Sequence, residues 1–361
     1  MSLTVTYKKY SAFYPEWHQK EDGSWIESKM PMTSAMMLPD VVLDALREAL
    51  APVVPAVFQK NCELDCLANV VPPLNKHRIL IAEPAISWQQ SCDLVVAAFR
   101  SFNPDLTKQV AQVMTDASLL RLRQVSAGEA GGYCTAPGYE AEGHLPGITY
   151  WYDLTINDPI YLAHELGHFG SDSLIRQAGL LGDSAMMPLS LCEIPAMVTQ
   201  HLMYDYLSRQ VDSGLVNAAR KHFVGEVTGA LYRLSVAFAG SGADQPDGEP
   251  YEQAMQVSLG ENWRYFVPAR DKMVKVSGLH KHDSALVLAY GLLKHGQKPD
   301  VFDAIFARGS KADILEILAQ CGIHDKAALV DFFSKAVQGI VAPLEQIYQE
   351  QHSIAHKEYT R

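Results

Sequence analysis

A mainly helical protein with one minor β element is the fold class that the sequence predicts. Three observations carry this expectation. Apolar residues recur at helical spacing from Val41 onward; β-type runs appear between Gly128 and Asp153; helical spacing then returns to the C-terminus. With 361 residues, 48% of them hydrophobic, the chain has enough apolar surface to bury one large core or two smaller ones.

Residues 1–38 read as an irregular N-terminal segment, aromatic at first, then bearing Gly and Met, and ending at Pro39. Its four methionines, Met30, Met32, Met36 and Met37, fit a docked loop better than a thioether metal site. Val41, Val42, Leu43, Leu46 and Leu50 form one apolar helical stripe, and Cys92 to Phe99 form another. The same pattern is expected to continue from Leu106 to Arg123. Gly131-Gly132-Tyr133-Cys134 and Ile148-Thr149-Tyr150-Trp151-Tyr152 read as strands of a hairpin or small sheet, separated by the turn-rich Ala136 to Gly147. Gly240 to Gly248 reads as a mobile surface loop. There is no internal repeat and no long low-complexity tract, so residues 39–361 are expected to form a single domain.

Composition argues against several classes of function. The net charge is −11, with 41 acidic against 30 basic residues and no Lys/Arg run, so neither nucleic acid nor an anionic membrane is an expected partner. Six cysteines are scattered through the chain. Cys62 and Cys66 lie four apart, but no second pair completes a zinc ribbon, so all six are expected as reduced thiols. Met1 to Tyr14 lacks the apolar core and small-residue cleavage site of a signal peptide. The apolar stretch Ala285 to Leu293 is shorter than the roughly 20 residues that span a bilayer. A soluble, cytoplasmic protein is the expectation, and nothing signals an oligomeric state.

The chemistry concentrates in Tyr161-Leu162-Ala163-His164-Glu165-Leu166-Gly167-His168, which contains His-Glu-x-x-His. Asp158 followed by Pro159 offers an N-cap and a first-turn proline, so a helix is expected to begin there. On a helix, His164 and His168 share a face and can reach one metal ion. Glu165 then sits beside that ion, where a base for activating water is needed. Two histidines on a helix face are also a common partly buried polar pair, so a third ligand decides. Glu193 lies 25 residues after His168 (193 − 168) in the apolar Leu189 to Met197, on a helix expected to start near Pro188. Burying that carboxylate without a partner would cost several kcal/mol, and a metal ion is such a partner. The bland alternative is a carboxylate on a solvated face.

These residues resemble the oligoendopeptidase F and thimet oligopeptidase family of zinc peptidases, whose signature is His-Glu-x-x-His with a glutamate ligand about 25 residues on. Gly131 to Cys134 resembles the family's Gly-Ala-Tyr/Phe-Cys segment. Ile148 to Asn157 resembles its substrate-side strand, and Ser310 to Val337 its closing helices. The resemblance spans about Ser87 to Tyr348. It implies a helical bundle with a deep substrate cleft and a small β-sheet beside the zinc helix. It implies one zinc ion per chain, held by His164, His168 and Glu193, with Glu165 as general base and peptides as substrates. It also places Gly147, Ile148, Thr149 and Tyr150 along the bound peptide, pairing with its backbone.

Three departures stand out. The chain is shorter than a full family member, so a more open cleft is expected. The family's second glutamate, seven residues after the ligand glutamate, is Gln200 here, which bears on metal tuning. The tyrosine-rich stretch that donates to the oxyanion is replaced by Leu279 to Gly291, where Tyr290 or His280 is the candidate donor. Two alternatives stay open: a protease dedicated to one protein substrate, and an inactive peptide-binding relative.

Overall fold

The computed structural model describes residues 13–19, 25–31, 38–57, 84–102, 104–135, 147–177, 189–240, 280–295 and 314–359. Most of these residues are helical, as the periodicity predicts, and one three-stranded sheet packs beside the helices.

The N-terminal segment departs from the expectation of irregular chain. Strands β1 (Phe13–Gln19) and β2 (Trp25–Pro31) form an antiparallel hairpin. Its signal was present as Asp22-Gly23 between two aromatic-bearing runs, a strong hairpin-turn dipeptide. Met30 lies in β2, while Met32, Met36 and Met37 lie outside the described residues.

Helix α1 (Asp40–Leu50) buries Val42, Leu43, Leu46 and Leu50, four of the five stripe residues. Helix α2 (Trp88–Arg100) starts at a capping box: Ser87 Oγ accepts from the Gln90 N–H at 3.2 Å, and the Gln90 side chain accepts from the Ser87 N–H at 2.9 Å. Helix α3 (Pro104–Thr115) is shorter than expected, because Leu106 to Arg123 is not one helix. Asp116 Oδ1 accepts from the Ser118 N–H at 2.9 Å and closes a turn. Beyond it, Leu120-Arg121-Leu122-Arg123 alternates with period two and forms strand β3 (Leu120–Gln124).

Strands β4 (Gly131–Thr135) and β5 (Gly147–Tyr152) pair antiparallel, and β3 pairs parallel with β5, so the order is β3-β5-β4. Gly147 has φ 121°, and a Cβ there would lie 2.3 Å from the Leu119 carbonyl oxygen, so only glycine fits at the start of β5.

Helix α4 (Asn157–Gln177) follows a tight turn in which Leu154 adopts φ 61°. Asp158 lies within the first turn of α4 rather than at its cap. Its carboxylate accepts from the N–H groups of Asp153 (3.0 Å) and Leu154 (2.8 Å), holding the strained turn in place. Burial pushes the Asp158 carboxyl up to about 6, against the pull of those two backbone hydrogen bonds.

Helices α5 (Leu189–Leu207), α6 (Ser213–Gly240) and α7 (His280–His295) complete the cluster around α4. Helix α5 is central, packed between α4 and α7, while β4 lies against α4. Helices α8 (Ile314–Gln320) and α9 (Lys326–Tyr359) close the fold, with α9 against α1 and α7. The stretch Lys326–Gln346 is long and apolar enough to cross a membrane, yet Leu329, Phe333, Ala336, Val337 and Ile340 are buried in the core. One hydrophobic core runs from Leu38 to Leu344. The glycine-rich loop ends α6 at Gly240, and the rest of it lies outside the described residues. Cys92 and Cys134 are free thiols, and burial pushes the Cys92 thiol up to about 12.

Candidate metal centre

Two neighbouring helices supply the cluster. Helix α4 presents His164 and His168 one turn apart, with their rings edge to face at 4.9 Å between centroids. Helix α5 presents Glu193, which is 4% exposed. The helices approach this closely because Gly167 and Thr199 face each other. Thr199 Oγ1 donates to the Ala163 carbonyl at 2.8 Å, and no side chain intervenes at Gly167.

His164 Nε2 and His168 Nε2 lie 3.5 and 3.4 Å from Glu193 Oε2, and the three ligand atoms all lie within 4.8 Å of one another. A tetrahedral zinc with bonds of about 2.0–2.1 Å spaces its ligands about 3.3–3.4 Å apart. Two imidazoles and a carboxylate at these separations are a donor set that fits zinc. Burial alone would push the Glu193 carboxyl up. The imidazoles of His164, His168 and His282 around it instead hold it well below the usual carboxylate range, so the site favours the ionised carboxylate.

The centre opens onto a cavity of about 440 Å³ lined by Gly131, Gly132, Glu165, Arg233, His282 and Asp283, among others. Glu165 is 7% exposed and lies against β4, since a Cβ at Gly132 would come within 3.1 Å of Glu165 Cγ. On the far wall, Arg233 donates to both carboxylate oxygens of Asp283 at 2.7–3.1 Å. Burial pushes the Asp283 carboxyl up to about 6, with Arg233 pulling the other way.

The structure brings His164, Glu165, His168 and Glu193 together. It does not bring Tyr290 to them. Tyr290 packs its ring 5.3 Å from that of His201 and against Gly339 of α9, where it lines a separate cavity with Asp205 and Arg220. His280 begins α7, and its side chain lies outside the described residues. The residue of that helix that reaches the centre is His282, whose Nδ1 lies 2.9 Å from Glu193 Oε2. A partial signal was present, because His282 stands two residues from His280. Arg233 and Asp283, fifty residues apart, gave none.

The expected peptide-pairing strand also needs correction. Strand β5 is the middle of the sheet, so both its backbone edges are taken by β3 and β4. Ile148 and Tyr150 are fully buried, and Gly147 packs on Leu119, so Gly147, Ile148, Thr149 and Tyr150 cannot receive a peptide strand. Among the described residues, the outer edge of β4 pairs with no strand, and Gly131 and Gly132 there face the cavity.

No protein-family model matches the sequence, and no curated protein matches it. Similarity appears in three dimensions. The chain is similar to a Chlamydophila abortus protein assigned as a peptidase, with TM-score 0.61 and 15% identity over 86% of this chain and 57% of that one. A Bacillus anthracis protein assigned as an oligoendopeptidase F gives TM-score 0.55 and 17% identity over 86% and 56%. Oligoendopeptidase-F from Enterococcus faecium gives TM-score 0.52 and 13% identity over 87% and 54%.

Fold and site together thus define a helical, peptidase-type architecture built around a candidate His-His-Glu metal centre. The particular fold is that of oligoendopeptidase F structures, the family that the motifs resemble. The chain spans little more than half the length of the solved structures it matches.

Proposed function

We propose that this chain is a zinc-dependent endopeptidase acting on oligopeptides. The observation that carries the reading is the convergence of His164 Nε2, His168 Nε2 and Glu193 Oε2 at tetrahedral-ligand spacing beside a buried glutamate. The peptidases that share the fold support it. Zinc bound there would polarise a scissile carbonyl and lower the pKa of a water towards about 7.

The chain's own residues supply the rest. The free edge of β4 pairs with an extended peptide and lays its backbone across the cavity. Glu165 takes a proton from the attacking water and returns it to the departing amine. Among the donors that line this cavity, His282 serves the developing oxyanion, the part assigned from sequence to Tyr290 or His280.

The test is cleavage of short quenched-fluorescent peptides of mixed sequence, by protein as purified, after chelation, and after zinc is restored. Cleavage that chelation abolishes and zinc restores is expected. Zinc-loaded protein that leaves every peptide intact would overturn the oligopeptidase reading. In the same assay His282→Ala is expected to lower kcat about 100-fold with zinc retained. If the variant loses zinc instead, His282 supports Glu193 and is not the donor.

A further inference from the structure

We infer that Gln200 and Glu226 work as one unit that fixes which nitrogen of His164 carries the proton, with Glu226 as the positioning residue. The inference rests on His164 being a metal ligand. Four hydrogen bonds carry it. Gln200 Oε1 lies 2.8 Å from His164 Nδ1. Gln200 Nε2 donates to Glu226 Oε2 at 2.6 Å. The Tyr204 hydroxyl donates to the same Glu226 oxygen at 2.6 Å and lies 2.7 Å from His222 Nδ1. Gln200 is 2% exposed, so water does not substitute for these partners.

A glutamine alone leaves the proton undecided, because its amide can turn and exchange its oxygen for its NH₂. With the NH₂ turned to His164, Nδ1 would have to accept. The proton would then sit on Nε2, the nitrogen that faces Glu193 and the metal position. The Glu226 carboxylate removes that choice, since it accepts only and therefore holds the NH₂ end of Gln200. Gln200 Oε1 is left facing Nδ1, Nδ1 keeps the proton, and the Nε2 lone pair stays free for a metal. The negative charge that orients this ligand thus stands on α6, 26 residues beyond Gln200, and acts through a neutral amide.

The test is a reciprocal swap read by zinc affinity, measured by competition with a chelator on the full chain, with a thermal melt to verify folding. Glu226→Gln removes the orienting acceptor and is expected to weaken zinc binding about tenfold. Gln200→Glu sets two carboxylates in contact and is expected to weaken it about 100-fold. Combining Q200E with E226Q should return the affinity to within about threefold of the starting protein, because the two sites form one network. There the carboxylate at position 200 accepts from His164 Nδ1, and the amide at position 226 donates to it. The Tyr204 hydroxyl can accept as well as donate, so it turns its hydrogen to His222.

A swapped protein whose defect equals the product of the two single defects would overturn the inference. So would Q200E binding zinc as tightly as the starting protein. If the unaltered chain takes up no zinc, the metal reading falls first and this inference with it. Zinc bound normally by the unaltered chain with an additive cycle overturns the inference alone.

Discussion

Replacing Gly167 with alanine is expected to cost about 2–3 kcal/mol of stability, the upper part of the range for overpacking, and to weaken zinc retention by at least about tenfold. A Cβ there would lie 2.3 Å from Thr199 Oγ1, 2.7 Å from Ala196 Cα and 2.9 Å from the Pro195 carbonyl oxygen. Two of these are backbone atoms, so no side-chain rotamer relieves the contact, and α4 must move away from α5. That movement strains the hydrogen bond from Thr199 Oγ1 to the Ala163 carbonyl. It also separates the helix bearing His164 and His168 from the helix bearing Glu193, so the loss reaches the candidate metal centre directly. Gly225 is the internal control. It is an exposed helical glycine with nothing within 4 Å of its would-be Cβ, so Gly225→Ala should gain about 0.5–1 kcal/mol. Thermal melts and chelator competition on both variants check the pair. A Gly167→Ala protein as stable and as zinc-tight as the starting chain would refute the close-approach argument.

Replacing Glu165 with glutamine is expected to lower kcat by at least about 1,000-fold while leaving zinc bound, within the range that one general acid–base group supplies. Glutamine keeps the shape and fills the same space against Gly132, but its amide cannot take a proton from water. Glu165 stands outside the set of converging ligand atoms, so removing its charge does not remove a ligand. The measurement is turnover of a cleaved peptide together with zinc content per chain. Near-normal turnover would show that another group moves the proton. Loss of zinc would show that Glu165 contributes to metal binding.

Much of this site was legible because the signals were local. His164 and His168 share a face through the helix repeat itself, and the apolar flanks of Glu193 made a buried carboxylate visible as a chemical problem. The stripes of α1 and α2 were legible for the same reason, since one periodic face is enough to define a core helix. Strand β3 was missed because the reading carried helical spacing past Asp116, where an Asx turn had already ended the helix. The β1–β2 hairpin was missed although Asp22-Gly23 marked it, because strand alternation there is weak and proline-interrupted.

Errors in residue assignment have a geometric cause. His282 and Tyr290 are eight residues apart on α7 (290 − 282), about 12 Å along the axis. Which of them meets Glu193 depends on how α7 slides and rotates against α5, and no local pattern encodes that. Strand β5 was placed along the bound peptide by the family resemblance, and its residues are aromatic and apolar. That composition suits the buried middle of a sheet, and among the described residues the unpaired edge that faces the cavity belongs to β4. The sequence by itself pointed to the candidate ligands His164, His168 and Glu193, to Glu165 beside them and to the helical class, because helix periodicity and the cost of burying charge act within one segment. Only the tertiary structure decided which strand edge faces the cavity, which α7 side chain reaches the centre, and that Glu226 stands behind Gln200. Those are contacts between segments, fixed by helix packing and sheet order rather than by spacing along the chain.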